Sequence, residues 1–263
     1  MLITEWKGRS MKNEIMLIQF VLCLGCLMIA SVSTVIAADT GVDNSLYAQL
    51  LSKHVHNGMV DYQGFKNDEK KLDAYLKTLE SANTKKMARD EQFAFYINAY
   101  NAWTIKLILS GYPGVKSIKE LGSLFSSPWK KKICRIDGQV LSLDEIEHKI
   151  LRPTFKDNRV HFAINCASKG CPKLISEPYD GTALDRQLDK AAQGFVNDPK
   201  RNYLDNDTLY VSSIFKWFAE DFNHDIPAFF SKHASKDLNR QILEKSGKIN
   251  IKYLDYDWSL NGR

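Results

Sequence analysis

The stretch that decides the fold is Asp90-Glu-Gln-Phe-Ala-Phe-Tyr-Ile-Asn98-Ala-Tyr-Asn101-Ala-Trp103-Thr-Ile-Lys-Leu-Ile-Leu109. Asp90 is a suitable helix cap, and Gly111 and Pro113 stop a helix after about Leu109. From Phe93 onward the polar members are Asn98, Asn101, Thr104 and Lys106, while Tyr96, Tyr100 and Trp103 have mixed character. A helix apolar on nearly every side belongs in the centre of a fold. Asn98 and Asn101 stand three apart, so they are neighbours on one face. A buried amide left unpaired costs roughly 1–3 kcal/mol, so both need partners. Two roles stay open for the pair: a network that holds a loop, or the orientation of a catalytic imidazole.

Upstream, Asp43 or Asn44 can cap a helix carrying Leu46, Leu50, Leu51 and His54. Gly58–Tyr62 reads as a short extended piece. A second amphipathic helix near 67–80 has Leu72, Tyr75, Leu76 and Leu79 as its apolar stripe. Downstream, Asp137-Gly138 between Lys132–Asp137 and Gln139–Leu141 is a strong hairpin signal. Ser142-Leu-Asp-Glu145 is a capping box that opens a helix ending before Pro153. A helix from Thr182 to about Asn197 carries Leu184, Leu188, Ala191, Ala192 and Phe195 inward. A second hairpin turns at Asp205-Asn206-Asp207. Ser213 starts a helix with Ile214, Phe215, Trp217 and Phe218, its aromatics read as core. Helices near 226–233 and 236–245 precede an extended tail with Ile249, Ile251, Tyr253 and Trp258. Asp255, Asp257 and Trp258 suggest a tail docked by aromatics, the alternative being acid–base work by the paired carboxylates. This order lacks a βαβαβ rhythm and predicts an α+β fold, with the buried helix packed on a largely antiparallel sheet. The expected segments are a helical part over 39–84, a core over 85–225, and C-terminal helices and tail of the same domain over 226–263.

The chemistry concentrates in His161-Phe-Ala-Ile-Asn165-Cys166-Ala-Ser-Lys-Gly-Cys171-Pro172. Val160–Ile164 is rich in apolar and β-branched residues and predicts a strand. Asn165, Ser168, Gly170 and Pro172 then predict a loop holding both cysteines, at a strand end where scaffolds often present chemistry.

The N-terminus predicts export. Met11-Lys12 opens a secretion signal better than Met1, Leu17–Ile29 is almost continuously apolar, and Ala37-Ala38 offers small residues for cleavage. Residues 1–38 are thus read as an upstream extension and signal peptide of a periplasmic protein. A lipoprotein signal ending at Gly25-Cys26 competes, with Cys23 where an aliphatic residue is expected. Removing Lys7, Arg9, Lys12, Glu5 and Glu14 lowers the net charge from +5 to +4. That charge is too dispersed for nucleic-acid binding, and Lys130-Lys131-Lys132 is a solvated hairpin end as readily as an anion site. The expected partner is an envelope peptide, glycan or protein. No transmembrane helix is expected in the mature chain, and no cofactor is called for. Cys134, Cys166 and Cys171 remain, so at least one thiol is left over in an oxidising compartment.

Several segments together resemble the domain-of-unknown-function family 547. They are Phe93–Ala102, Leu143-Asp-Glu-Ile-Glu147-His148, His161–Pro172 and Ser213-Ile-Phe-Lys-Trp217-Phe. The resemblance covers roughly residues 85–225 and has the character of bacterial secreted members. It implies a domain identity without an accepted activity.

Cys166 as a thiolate nucleophile needs a base and an orienting group. His161 and His148 are the candidate bases; Glu147, Asn98, Asn101 or Asn165 can orient one of them. The central helix and strands are loosely papain- and transglutaminase-like, although those enzymes place the cysteine at the start of the central helix and this helix has none. Such a site would serve a hydrolase or acyltransferase acting on peptide or amide bonds. The rival reading is a Cys166–Cys171 disulfide, worth roughly 2 kcal/mol by loop closure, in a non-catalytic binding module. A redox pair, or zinc held by both thiols with His148 and His161, are further readings, the zinc spacing being irregular. For His148 the plain account is a favourable place at a helix C-terminus. His54, His56, His224 and His233 lie outside these motifs and are expected to face solvent.

Overall fold

The computed structural model describes residues 41–123, 126–245 and 249–262. Helix α1 (Ser45–His54) turns into a minimal hairpin of β1 (Val55–His56) and β2 (Met59–Val60). Helices α2 (Tyr62–Asn67) and α3 (Glu69–Glu80) follow, and α3 buries the expected Leu72, Tyr75, Leu76 and Leu79. The long helix α4 spans Arg89–Leu109, and nearly every residue from Phe93 to Leu109 is buried. Its cap is Ala88 rather than Asp90. The Glu91 carboxylate accepts from the Ala88 N–H at 3.1 Å, which serves one donor that the helix start leaves open.

The antiparallel pair β3 (Cys134–Ile136) and β4 (Gln139–Leu141) turns at Asp137 and Gly138, both with positive φ, as a two-residue hairpin requires. The capping box at Ser142 and Glu145 starts α5 (Leu143–Glu145). The chain then winds as a π-helix over Ile146–Phe155, running through Pro153 instead of stopping before it. The wider turn relieves the clash that a proline ring makes with the preceding turn of an α-helix. Beyond it come α6 (Leu184–Val196), the hairpin β5 (Tyr203–Asp205) and β6 (Thr208–Ser212), and the short α7 (Ile214–Trp217). Helices α8 (Ile226–His233) and α9 (Lys236–Glu244) and strand β7 (Asn250–Leu254) complete the order.

The fold is α+β, but the strands form separate small sheets rather than one platform. β1–β2, β3–β4 and β5–β6 pair antiparallel, while β7 joins β6 in parallel. One apolar core surrounds α4. A second, built on Phe162, Phe195, Phe215, Phe229 and Phe230, lies among α6, α7 and α8.

The expected strand over Val160–Ile164 is a 3-10 turn, Asn158–Phe162, opened by the Asp157 side chain accepting from the Arg159 N–H. Val160 to Ile164 are all buried, so the alternation that marks a half-exposed strand is missing. Val160 and Ile164 enter the first core and Phe162 the second. The backbone that a sheet would have paired is served by a side chain instead. Asn101 donates to the Ala163 carbonyl at 3.0 Å and accepts from the Asn165 N–H at 2.8 Å. Asn98 does the same one turn earlier, donating to the Tyr179 carbonyl and accepting from the Tyr179 N–H, both at 2.8 Å.

Two solvent-facing expectations also fail. His54 is buried, with Nε2 2.9 Å from Asp68, and His233, the last residue of α8, is buried beside Phe229. His56 and His224 are exposed. No described helix is long and apolar enough to cross a membrane, and residues 1–38, which carry the export reading, lie outside the described residues.

Replacing Asn101 by leucine keeps the volume but strands a buried N–H and a buried carbonyl. Urea unfolding is expected to show a loss of roughly 2–4 kcal/mol. A loss under about 1 kcal/mol would contradict the role given to this amide.

Candidate functional site

The cysteine loop is built to hold one shape. Ala167 sits in the left-handed region at φ 62, and its N–H donates to the Asn165 side chain at 2.8 Å. Such a φ is unfavourable for a residue with a Cβ and persists only where its surroundings enforce it. Asn165 also donates to the Pro172 carbonyl and accepts from Asn261, tying both ends of the loop to the tail. Arg201 donates to the Lys169 and Cys171 carbonyls. Gly170 lies against the ring of Tyr256, where a Cβ would meet ring carbons at 2.9 Å. Inside this frame Cys166 and Cys171 form a disulfide. Cys134 is the free cysteine among the described residues; burial pushes its thiol up to about 12.

Beside the loop lies a cavity of about 260 Å³, lined in part by Glu147, His148, His161, Cys166 and Cys171. Of the sequence-predicted residues, these meet in one place. Asn98 and Asn101 do not line it; their side chains bond loop backbone. Asn165 likewise bonds the loop and the tail. Among the described residues no cluster of three or more His, Cys, Asp or Glu side chains is placed to hold a metal ion.

His161 is the best-defined group. Its ring stacks on Phe218 at 3.9 Å, and its Nε2 lies 2.7 Å from the Asp221 carboxylate. Asp221 is held well below the usual carboxylate range, by the His161 hydrogen bond first and also by the Arg152 guanidinium, which grips it through Nε and Nη2 at 2.6 and 3.0 Å. Burial lowers the His161 pKa more than Asp221 raises it, so the ring is neutral near pH 7. An ionised carboxylate only accepts, so the proton of the neutral ring sits on Nε2. Nδ1 then carries the lone pair, and it is buried with no hydrogen-bond partner. A neutral imidazole held by a carboxylate on one side and unpartnered on the other is the form of a general base.

Glu147 and His148 come from the π-helix. Burial raises the Glu147 carboxyl from 4.5 to about 7, partly opposed by a hydrogen bond with Tyr100. His148 accepts from Arg152 at 2.8 Å, and burial followed by that cation lowers its pKa.

Sequence reasoning missed Asp221, which follows Trp217-Phe218 in an unremarkable Ala-Glu-Asp run. It also placed Trp217 and Phe218 in the core because they share helical spacing with Ile214 and Phe215. Only the latter two are buried; Trp217 is 47% exposed, and both Trp217 and Phe218 line the cavity. Asp257, weighed as an acid–base group, accepts from the Ser259 N–H and hydroxyl.

The described domain is thus an α+β scaffold presenting an imidazole–carboxylate pair, a protonatable carboxyl and a disulfide to one aromatic cavity. Over residues 84–196 the chain matches the family described as "Protein of unknown function, DUF547", which shows the resemblance read from its motifs. The match ends at 196 rather than near 225, short of the Ser213–Phe218 motif. No curated protein and no solved structure matches the chain, so the papain- and transglutaminase-like analogy gains no support.

The Glu147 carboxyl fixes a pH dependence. The unfolded carboxyl loses its proton near 4.5 while the folded one holds it to about 7. Stability contributed by the folded state's extra proton is therefore full below pH 4.5 and is lost as pH rises through about 7. Glu147→Gln cannot ionise, so its stability relative to the parent should improve from pH 5 to pH 8, by at most roughly 3 kcal/mol. A pH-independent difference in urea titrations would contradict this.

Proposed function

We propose that this is a thiol-dependent hydrolase or acyltransferase acting on peptide or amide bonds in the cell envelope. Cys166 is its nucleophile, His161 its base, and Asp221 the group that orients the base. One observation carries the reading: His161, bonded to Asp221 through Nε2 and with Nδ1 unpartnered, lines the same cavity as Cys166. The disulfide with Cys171 is the resting form. A dithiol reductant supplies two electrons and two protons, becomes a disulfide itself, and leaves Cys166 and Cys171 as thiols. His161 Nδ1 then takes the Cys166 proton as the sulfur attacks the carbonyl carbon. The C–N bond breaks, and the departing amine takes the proton back from the imidazolium. Water or an amine attacks the resulting thioester and restores the thiol. Export of the chain, read from residues 11–38, supplies the compartment.

A second reading is favoured by the disulfide itself. A loop closed by Cys166–Cys171 and fixed by Asn165 and Arg201 suits a binding module that uses the cysteines for rigidity.

Alkylation separates the two. Under a mild dithiol at pH 7, Cys166 is expected to react with iodoacetamide well ahead of the buried Cys134. His161→Gln or Asp221→Asn should slow that reaction by about tenfold or more, the effect of losing a paired base. If mass spectrometry finds Cys166 still bonded to Cys171, or its alkylation indifferent to His161, the catalytic reading fails and the binding module stands.

A further inference from the structure

The cavity walls are more than an enclosure for the dyad. Tyr100, Trp129, Trp217, Phe218, Tyr256 and Trp258 all line it. Most of their planes turn against one another: Trp217 meets Tyr256 at 57°, Tyr256 meets Trp258 at 53°, and Trp129 meets Trp258 at 70°, while Trp217 and Trp258 stack at 29°, with centroids 4.6–5.7 Å apart. A flat platform of coplanar rings suits the face of a sugar. Rings set at large angles to one another present several negative π-faces to one volume, as cages for quaternary ammonium groups do.

Charge points the same way. The chain has a net charge of +5, yet among the described residues no lysine or arginine lines this cavity; the carboxyl and imidazole groups in its lining are Asp144, Glu147, His148 and His161. The neighbouring cleft on the other side of the cysteine loop is lined by Lys169, Lys173, Lys200 and Arg201. The chain's own cations already use two of these rings from outside the lining. The Lys119 ammonium lies 3.8 Å from the Trp258 centroid, and the Arg152 guanidinium 5.1 Å from that of Phe218 while tied to Asp221. The cavity is thus an aromatic enclosure with carboxyl groups, and among the described residues the chain's own cations lie over Trp258 and Phe218 but not over Trp217 or Tyr256.

We propose that this cavity binds a cationic amine, its ammonium group held by the Trp217 and Tyr256 rings next to the Glu147 carboxyl. The ammonium contacts do not use the Cys166 sulfur, so binding to the oxidised protein tests this site apart from the thiol chemistry. If both hold, the group held is the amine released by C–N cleavage, after it has taken a proton from water.

Glu147 ties the affinity to pH. It is flanked by Tyr100 from α4, by Asp144, His148 and Arg152 on its own helical segment, and by Asp221 beside His161. A carboxyl that loses its proton near pH 7 attracts an ammonium ion above that pH and not below it.

The test uses the oxidised full chain and two probes of equal shape. Choline carries a quaternary nitrogen where 3,3-dimethylbutan-1-ol carries a carbon. Titration by tryptophan fluorescence and calorimetry at pH 8 should show choline binding about tenfold more tightly than the alcohol. Its affinity should fall severalfold at pH 5.5. Glu147→Gln should abolish that pH dependence, and Trp217→Ala, at an exposed position, should weaken choline by about tenfold with the fold intact by circular dichroism. Equal affinities for the two probes, tighter binding of the alcohol, or no saturable choline binding up to about 100 mM would overturn the proposal. Choline binding in a protein whose Cys166 is inert would leave the cage standing and remove the catalysis.

Discussion

The bonds from Asn98 and Asn101 to loop backbone are the interaction on which the rest of the structure depends. Each amide leaves the central helix and satisfies one carbonyl and one N–H of a distant segment: Tyr179 for Asn98, and Ala163 with Asn165 for Asn101. An asparagine offers a donor and an acceptor on one planar group, so a single side chain stands in for a strand partner. These positions are nearly inaccessible to water, which makes the bonds costly to lose and the geometry hard to change. The segment carrying His161 and Cys166 is therefore placed by a helix, not by a sheet.

What hangs from those bonds explains the form of the site. With the backbone at 163–165 fixed, the Asn165 side chain is free to close the cysteine loop onto Pro172 and to accept from Asn261 of the tail. The tail is itself clamped. The Asn261 carbonyl accepts from the Val60 N–H, and Gly262 runs so close to Val60 that a Cβ would collide with its carbonyl oxygen. Tyr256 and Trp258 thereby reach the cavity wall from far along the chain. On the opposite side, the 3-10 turn delivers Phe162 to the second core and His161 to Asp221. The cavity lies where both apolar cores meet elements of the cysteine loop.

Much of this was legible in the sequence where the signal was local. The hairpin at Asp137-Gly138 needed positive φ at both turn residues, and the capping box at Ser142 needed only its Glu145 partner; neither depends on distant chain. The burial of α4 followed from its lack of a polar face. The failures are tertiary. Val160–Ile164 is apolar in each position because it divides its side chains between two cores, and a fully buried run does not reveal its period. Pro153 reads as a helix end unless the winding widens, which no local pattern announces. Trp217 has helical spacing with Ile214 and Phe215 but lies past the buried edge of a short helix. Asp221 carried no motif at all. It is recognised only by its contact with His161, sixty residues earlier.

The dyad is where structure becomes chemistry, through electrostatics rather than proximity alone. Asp221 stays ionised under the combined hold of His161 and Arg152, while burial keeps the imidazole neutral. Together they put the proton on Nε2 and the lone pair on Nδ1. Nitrogen-detected NMR of ¹⁵N-histidine-labelled protein at pH 7 reads this directly. A neutral His161 ring with its proton on Nε2 and an unprotonated Nδ1 is expected, with loss of that tautomer preference in Asp221→Asn. An imidazolium at pH 7, or a neutral ring protonated on Nδ1, would contradict it.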